Sequence, residues 1–325
     1  MKLTEYEDKH AVQRVLITGL SKSGKSTLAA SLSKRYRLIW IDTENAIEAL
    51  QKLPPEQKAN IELIKIPDSA SFPMAAQTLQ RLFKDKKADI CFTHGTINCF
   101  ICKKNGGIIQ HVDLTNLDPA RDVVVLDTLT QAGRSLFAHL MKTATAALSA
   151  DAAIEYKPVL DDWGALRKNT EYLGSNIQSF PFNFVAITLA IETELEDGKV
   201  TLVPEFGSKG SSAGIASKFS TVIFCKTENK KHKAYSSSTA SNLFLSGARS
   251  DFEIEKQADS MDLCPLFDKL VARSSREEKD KIPNLIPEIK DLPISRESIN
   301  LIETKTQETK SSLLNLRNKL NLKKT

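Results

Sequence analysis

The sequence lacks long apolar runs, a signal-like beginning and a cysteine framework, and each absence excludes a class of protein. No apolar run in the 325 residues approaches the roughly 18 that a membrane-spanning helix needs, so no membrane association is expected. The segment Met1–His10 is polar and acidic, which argues against a secretory signal. Five cysteines, an odd number with three in one short window, favour a reducing cytoplasm and metal binding over disulfide bonds.

The charge balance excludes little. Hydrophobic residues make up 41% of the chain and charged residues 26%, as in ordinary globular proteins. The net charge of +5 permits a polyanionic partner without requiring one. A chain of this length is large enough to bury a core and to form one or two domains.

One segment matches a nucleotide-binding motif without a mismatch. Residues 19–26 read GLSKSGKS, which fits the phosphate-binding loop G-x-x-x-x-G-K-[ST]. A β-branched apolar run precedes the loop and good helix formers follow it over 26–34, as the chemistry requires. Glycines let the backbone point its N–H groups at phosphates, the lysine reaches the β- and γ-phosphates, and the serine hydroxyl coordinates Mg²⁺. A chance glycine turn before a helix is the alternative. The predicted nucleotide contacts are Gly19, Ser21, Lys22, Ser23, Gly24, Lys25, Ser26 and Thr27.

Two acidic side chains at the ends of apolar strands complete the predicted site. Asp127 ends a run of valines and a leucine, and would hold Mg²⁺ together with Ser26. Glu44 follows another apolar strand at the carboxyl edge of the sheet, where it would orient the attacking water. Asp42 competes for that role; a helix-capping Asp127 and an ordinary surface Glu44 are the alternatives. Lys25, Glu44 and Asp127 are therefore the predicted catalytic residues.

Alternating strand and helix patterns predict an α/β fold. Strands that are apolar on both faces indicate a mostly parallel sheet covered by helices on both sides. The main strands are predicted at 14–18, 36–42, 61–66, 122–127 and 183–189, with shorter, antiparallel additions at 200–203 and 220–225. Helices are predicted at 26–34, 72–85, 160–179 and in a long stretch from the strand at 122–127 to about 149.

These motifs resemble the RecA-like P-loop ATPase core over about residues 12–225. The resemblance rests on the phosphate loop, the IDTEN sequence at 41–45 and the VVLDT sequence at 124–128. It is closest to phage-encoded ATP-binding proteins, some of which act in single-strand DNA annealing and recombination. It implies a RecA-like fold, ATP hydrolysis with Mg²⁺, Glu44 as the base and homo-oligomers with sites between subunits. It also implies single-stranded DNA as a partner and, for a phage-encoded protein, the host cytoplasm as location.

Two further segments bear on this resemblance. The VPEFGSKG sequence at 203–210 is similar to a late family segment, in which Lys209 would reach a neighbouring subunit's phosphate. A flexible Gly/Ser loop is the alternative. Related phage proteins place a polar sensor of the γ-phosphate, often His or Gln, just after the strand that corresponds to 185–189. This chain continues with apolar residues there, so Thr188 or Glu192 would have to replace the sensor.

A second strong pattern lies in an insertion at 88–113. The spacing Cys91-x₂-His94-x₄-Cys99-x₂-Cys102 gathers four ligands of the kind that Zn²⁺ prefers. Four protein ligands leave no open position, so a structural zinc site is predicted. A segment this short cannot form its own core, and the metal is expected to supply its folding energy. His111 is a spare ligand, and a chance cluster of reduced cysteines is the alternative. Cys225 and Cys264 are predicted as buried or incidental thiols.

Aromatic and basic side chains suggest a nucleic acid surface. Phe92, Phe100, Lys103 and Lys104 flank the predicted zinc ligands, and such groups suit stacking on single-stranded bases and pairing with phosphates. Alternatively, the two phenylalanines simply cover the metal. Four lysines over 226–233 form a second basic segment, which suits either a DNA-facing hairpin or a solvated turn.

Composition predicts a boundary near residue 250. The ATPase core is predicted over 1–250, with the insertion inside it. Residues 251–325 have fewer apolar residues and recurrent prolines, which indicates a linker with short helices. Their last part, 310–325, carries five basic residues and no acid, with leucines at helical spacing. A small docking helix, a nucleic acid contact and a frayed tail all fit that pattern.

Two other functions compete with an ATPase acting on DNA. A nucleotide-dependent switch or assembly factor would bind ATP and a protein partner without DNA, which the absent sensor and modest charge favour. A small-molecule kinase also uses a phosphate loop. The sequence shows no arginine-rich lid, however, and an Asp-x-Glu after the second strand suits water activation better.

Overall fold

The computed structural model describes residues 12–69, 72–194, 198, 200–237, 244–248 and 252–271. The strands are β1 (Arg14–Gly19), β2 (Arg37–Asp42), β3 (Ile61–Lys65), β4 (Lys87–Cys91), β5 (Thr96–Ile97), β6 (Ile109–Asp113), β7 (Asp122–Asp127), β8 (Asn183–Glu194), β9 (Val200–Pro204), β10 (Thr221–Glu228), β11 (Lys231–Tyr235) and β12 (Gly247–Ala248). The helices are α1 (Lys25–Ala30), α2 (Glu48–Gln51), α3 (Pro55–Lys58), α4 (Ala75–Asp85), α5 (Phe100–Asn105), α6 (Leu129–Ala144), α7 (Ala150–Glu155), α8 (Leu160–Ser179), α9 (Lys209–Ile215) and α10 (Cys264–Val271).

The central sheet has the strand order β11-β10-β1-β8-β7-β2-β3, with β9 paired to β8 and β12 paired to β10. The six strands from β10 to β3 in this order run parallel to one another, whereas β9, β11 and β12 are antiparallel additions. The predicted α/β fold with a mostly parallel sheet is therefore confirmed.

One strand of this sheet contradicts the sequence prediction. The segment 220–225 is predicted as an antiparallel addition, but β10 pairs in parallel with β1, with Ile17 opposite Ile223. The prediction is wrong because a short strand with this apolar composition can lie inside a parallel sheet. The run from Thr221 to Cys225 is buried throughout, as expected of a strand inside a parallel sheet. The antiparallel prediction for 200–203 is confirmed by β9.

Helices cover both faces of the sheet, and successive strand residues point to opposite faces. On one face Leu16 belongs to a buried cluster with side chains of α4, α6 and α8. Its neighbour Ile17 belongs to a second cluster with Leu28 of α1 and Phe267 of α10. The strands are apolar on both faces because both faces are buried, and the polar residues are left to the strand ends.

Two predicted helices are shorter than their sequence patterns indicate. The α-helix predicted over 26–34 ends at Ala30 and continues as a 3₁₀ helix over Ser31–Lys34. The hydroxyls of Ser31 and Ser33 each donate to a carbonyl three residues earlier, at 2.7 Å, and so compete with regular α-helical pairing. The long helical stretch predicted to about 149 ends at Ala144, and a separate helix, α7, begins at Ala150 with the Ser149 hydroxyl as its cap.

The insertion forms a separate antiparallel sheet with the order β5-β4-β6. One face of this sheet joins the main core, because Ala88, Ile90 and Val112 are buried in the same cluster as Leu82 and Phe83 of α4. Packing against the main core therefore contributes to the folding of the insertion, beside the contribution predicted for the metal. At the other end of the insertion, Cys91, Cys99 and Cys102 form a small buried cluster of their own that is separate from the main core.

The packed part of the chain extends beyond the boundary predicted at residue 250. Phe252, Ile254, Leu263 and Phe267 are buried in the second cluster, beneath the central sheet. The backbone N–H of Leu263 also donates to Ser31 Oγ at 2.9 Å. The start of the predicted linker is therefore part of the core. Met1–His10 and the basic stretch 310–325 lie outside the described residues.

None of the helices in the described part of the chain combines the length and apolar character needed to cross a bilayer.

Candidate functional site

The phosphate loop connects β1 to α1 at the carboxyl edge of the central sheet. Gly24 has φ +89°, a backbone conformation that residues other than glycine rarely adopt. A Cβ on Gly19 would lie 2.3 Å from the carbonyl oxygen of Cys225, so β10 leaves no room for a side chain there. Ser21, Lys22 and Thr27 are exposed, whereas Ser23 is buried and its hydroxyl has no hydrogen-bond partner among the described residues.

The side chain of Lys25 lies inside the curve of this loop. Its Nζ donates to the carbonyl oxygens of Gly19 at 3.0 Å and Leu20 at 2.6 Å. Only 8% of Lys25 is exposed, and burial lowers the pKa of its ammonium group. The loop therefore holds a buried cation at the position where the motif requires one.

Asp127 meets the loop from the end of β7. The Ser26 hydroxyl donates to Asp127 Oδ2 at 3.1 Å, across 101 residues of sequence. Burial, with Glu44 and Asp42 nearby, raises the pKa of Asp127 to about 7. Asp42 lies opposite Asp127 in the β2–β7 pairing, and its buried Oδ2 has no hydrogen-bond partner among the described residues. A hydroxyl and two carboxylates in one place are the oxygen ligands that Mg²⁺ prefers, so these residues fit the ion.

Glu44 is held next to this group by two contacts. Its Oε1 accepts a hydrogen bond from Thr128 Oγ1 at 2.6 Å, and its backbone N–H donates to Asp42 Oδ1 at 3.1 Å. Glu44 itself is exposed, whereas Asp42 is 1% exposed. Asp42 and Glu44 are the two candidates for the base. The buried Asp42 positions the turn, whereas the exposed Glu44 is accessible to water.

Three other predicted residues are not brought to the loop. Lys209 is exposed at the start of α9, and no hydrogen bond or ion pair among the described residues links it to the loop. Thr188 is fully buried, and its hydroxyl contacts Thr130 at 3.0 Å and donates to the Glu205 carbonyl at 2.8 Å. Glu192 lies on an extension of β8 beyond the predicted end of this strand, where it pairs with β9.

Two residues of the site were not predicted from the sequence. Thr128, which binds Glu44, directly follows the predicted strand-end Asp127, and this position was the available signal. His232 lies against Gly24: a Cβ on that glycine would be 2.7 Å from the imidazole Cγ. Its place depends on the pairing of β10 with β1, which no local pattern indicates.

The predicted zinc ligands converge at the open end of the insertion. The ligand atoms of Cys91, His94, Cys99 and Cys102 all lie within 4.8 Å of one another. The Nδ1 atom of His94 is 3.7, 3.5 and 3.1 Å from the sulfurs of these cysteines in chain order, and the sulfurs of Cys91 and Cys102 are 3.4 Å apart. Edges of about 3.5 to 3.8 Å are expected for a tetrahedron around Zn²⁺ with metal–ligand bonds of about 2.0 to 2.3 Å, so these four residues fit the ion.

The remaining cysteine and histidine predictions separate from this cluster. His111, the spare ligand, instead contacts Asp89 through Nδ1 at 2.7 Å. Cys225 and Cys264 are buried in the second cluster of the main core, as the sequence predicts. Phe100 is 75% exposed and Phe92 39% exposed, so covering the metal is not the main role of Phe100.

Comparison with known proteins agrees with the loop geometry. No curated protein matches the chain. A family model described as an AAA domain matches residues 11–250, which is more than half of the chain and includes the loop, Glu44, Asp127 and the insertion. This chain therefore belongs to the AAA domain family and is a P-loop ATPase of the AAA type.

Proposed function

We propose that this chain binds ATP with Mg²⁺ at the loop 19–27 and hydrolyses it. The contact of Ser26 with Asp127, with Glu44 beside them, carries this proposal. A hydroxyl and a carboxylate for the ion, a buried lysine and an accessible carboxylate are the groups that phosphoryl transfer to water requires. Bound Mg²⁺ would neutralise charge on the phosphates.

Each residue has a distinct role in this proposal. The backbone of the loop and Lys25 bind the phosphates, and Ser26 and Asp127 hold the ion. Glu44 orients the attacking water and accepts its proton, and Thr128 fixes the carboxylate of Glu44 through its hydroxyl. Because Asp42 is buried and binds the N–H groups of Glu44 and Ala46, it positions this turn.

ATP hydrolysis by three variants tests these roles. Lys25→Ala should weaken nucleotide binding, because the loop loses its cation. Glu44→Gln should retain binding and lose turnover by at least about a hundredfold, the usual contribution of a positioned base. Glu48→Gln changes an exposed glutamate on α2 and serves as the matched control. Normal turnover of Glu44→Gln would show that another group acts as the base.

We further propose that the ATPase acts on single-stranded DNA, in recombination or replication of the phage type. The exposed phenyl rings of Phe100 and Phe92, with the exposed Lys104, support a surface that stacks on bases and pairs with phosphates. Lys103 instead forms an ion pair with Asp89. The DNA should raise the rate of ATP hydrolysis, and its binding should weaken steeply with salt.

The same experiment separates the competing functions. A switch or assembly factor would bind ATP but show no salt-dependent affinity for single strands. A small-molecule kinase would hydrolyse ATP slowly and transfer its phosphate to an added acceptor. Phe100→Ala is the sharper probe of the DNA surface, because the ring is three-quarters exposed and its loss should not disturb the core.

Two further elements complete the proposal. The Cys₃His cluster would bind one Zn²⁺ as a structural ion, because all four positions are protein ligands. The chain would form homo-oligomers in which the exposed Lys209 reaches the phosphates of a neighbouring subunit. Sedimentation with and without ATP, on wild type and Lys209→Ala, tests the second element.

A further inference from the structure

The hairpin of β10 and β11 presents two different faces. Asn229 and Lys230 join the strands with φ of +50° and +64°, as in a two-residue turn. Thr227 lies opposite His232 in the pairing, and their side chains share one face of the hairpin. This is also the face of Ala234, which is buried in the cluster that contains α1.

The other face of the hairpin is fixed by an internal network. The carboxylate of Glu228 binds Lys226 at 2.6 Å, Lys233 at 3.0 Å and the Tyr235 hydroxyl at 2.9 Å. Lys226 also lies over the rings of Tyr235 and Phe244, at 4.5 and 5.5 Å. Two of the four lysines of this basic segment therefore brace the hairpin. These contacts connect the two strands, and so help to fix the positions of the side chains on the opposite face of the hairpin.

That opposite face places His232 against the phosphate loop. The position of a Cβ on Gly24 lies 2.7 Å from Cγ and 3.1 Å from Cδ2 of His232, so the ring rests on the glycine backbone. Nδ1 of the imidazole is 3.0 Å from the Thr227 hydroxyl. Within the described residues Nε2 makes no hydrogen bond, and the side chain is exposed. One ring nitrogen is thus held within the hairpin, and the other, without a partner among the described residues, belongs to an exposed side chain beside the loop.

We propose that His232 is a nucleotide-binding residue whose Nε2–H donates a hydrogen bond to the phosphate tail of ATP. When the Thr227 hydroxyl donates to Nδ1, the neutral ring carries its proton on Nε2, and a phosphate oxygen is the acceptor that such a donor fits. The loop beside the ring is the part of the chain that binds phosphates. The proposal therefore rests on the proposed function of that loop, and adds the hairpin as a second wall of the site.

Binding of Mg²⁺-ATP and of Mg²⁺-tripolyphosphate to the full chain, measured by calorimetry, tests the proposal. His232→Ala should weaken both ligands about tenfold, the usual loss for a hydrogen bond to a charged group. His232→Gln, which keeps an N–H donor, should retain most of the affinity. Lys231→Ala is the matched control, because it removes a charge from the opposite face of the same strand and should change neither affinity.

Three results would overturn the proposal. The first is an unchanged affinity of His232→Ala for both ligands. The second is a loss of affinity for ATP alone, which would mean a contact with the nucleoside. The third is an equal loss of affinity in Lys231→Ala. Failure of the proposed function gives a different result, because wild type itself would then bind neither ligand. Circular dichroism of each variant separates lost binding from lost folding, and His232→Gln provides the test if the alanine variant does not fold.

Discussion

Ser26 Oγ and Asp127 Oδ2 lie 3.1 Å apart and link the start of α1 to the end of β7. Ser26 follows β1 and Asp127 ends β7, with β8 between these strands. The contact therefore bridges the carboxyl edge of the sheet above β8. It brings a hydroxyl and a buried carboxylate together at the point where the proposed function requires ligands for Mg²⁺.

The pKa of Asp127 predicts a pH dependence of stability. Burial raises this pKa from 3.8 to about 7 in the folded chain. Because the folded value is the higher one, the contribution of Asp127 to stability is complete below its unfolded pKa and is lost as pH rises through about 7. In metal-free buffer this group should lower the free energy of unfolding between about pH 4 and about pH 7, by at most about 4 kcal/mol in total.

Urea denaturation of wild type and Asp127→Asn across this pH range measures the effect. The variant cannot ionise at this position, so its stability should decline less with pH than that of wild type. Parallel curves for the two proteins would contradict the raised pKa. Binding of Mg²⁺-ATP to wild type should become tighter over the same range, since the ion requires the ionised carboxylate.

Arg37 on β2 and Asp122 on β7 form a buried ion pair, and breaking this pair should lower the stability of the chain strongly. Arg37 donates to both oxygens of Asp122, at 2.8 and 2.6 Å, and their side chains are only 14% and 6% exposed. Arg37→Ala leaves a carboxylate buried without its partner, which should cost about 3 to 5 kcal/mol in urea denaturation. Arg81→Ala breaks an exposed pair with Asp85 and should cost less than about 1 kcal/mol. Equal losses in the two variants would contradict the role of burial.

Local patterns in the sequence are enough to predict the phosphate loop, Glu44 and Asp127 as parts of one site, because each pattern lies within one strand and the turn after it. Asp42 and Asp127 come together because each is the last residue of its strand, and β2 and β7 are parallel neighbours. The place of β10 beside β1, and with it the contact of His232 with Gly24, depends on pairings across 206 residues of sequence, as the bond between Arg14 and Ser220 shows. No local pattern contains that information.

The segment after residue 250 shows the same limit. Its prolines and low apolar content correctly indicate a change in composition, but not that Phe252, Ile254, Leu263 and Phe267 pack beneath the sheet. Mostly polar residues separate Ile254 from Leu263, so the buried side chains follow no single helix or strand period. The matched family region ends at 250, so this packing is a feature of the chain beyond the shared domain.

Loss of this packing should destabilise the ATPase core. Phe267 is 1% exposed and its ring centroid lies 5.9 Å from that of Tyr36. Phe267→Ala should lower the free energy of unfolding by about 3 to 5 kcal/mol. Lys256→Ala, an exposed position in the same segment, should lower it by less than about 0.5 kcal/mol. A chain ending at residue 250 that unfolds at the same temperature as one ending at residue 271 would contradict the prediction.

Gly107 lies beside Cys102, one of the predicted zinc ligands. Purified protein should contain about one zinc ion per chain. A Cβ on Gly107 would lie 2.4 Å from the sulfur of Cys102, so Gly107→Ala should displace a ligand and lower the zinc content. Gly106→Asn is the matched control: Gly106 has φ +71°, which asparagine tolerates, and a Cβ there meets nothing within 4 Å.

Removal of the ion should unfold the end of the insertion without unfolding the ATPase core. Ala88, Ile90 and Val112 hold β4 and β6 to the core independently of the four ligands. Cys99→Ser should therefore lose zinc and expose the region around residues 91–107 to protease, while ATP binding persists. Zinc-free wild type with full protease resistance would contradict the metal site. Loss of ATP binding together with zinc would show instead that the core depends on the ion, which the shared packing argues against.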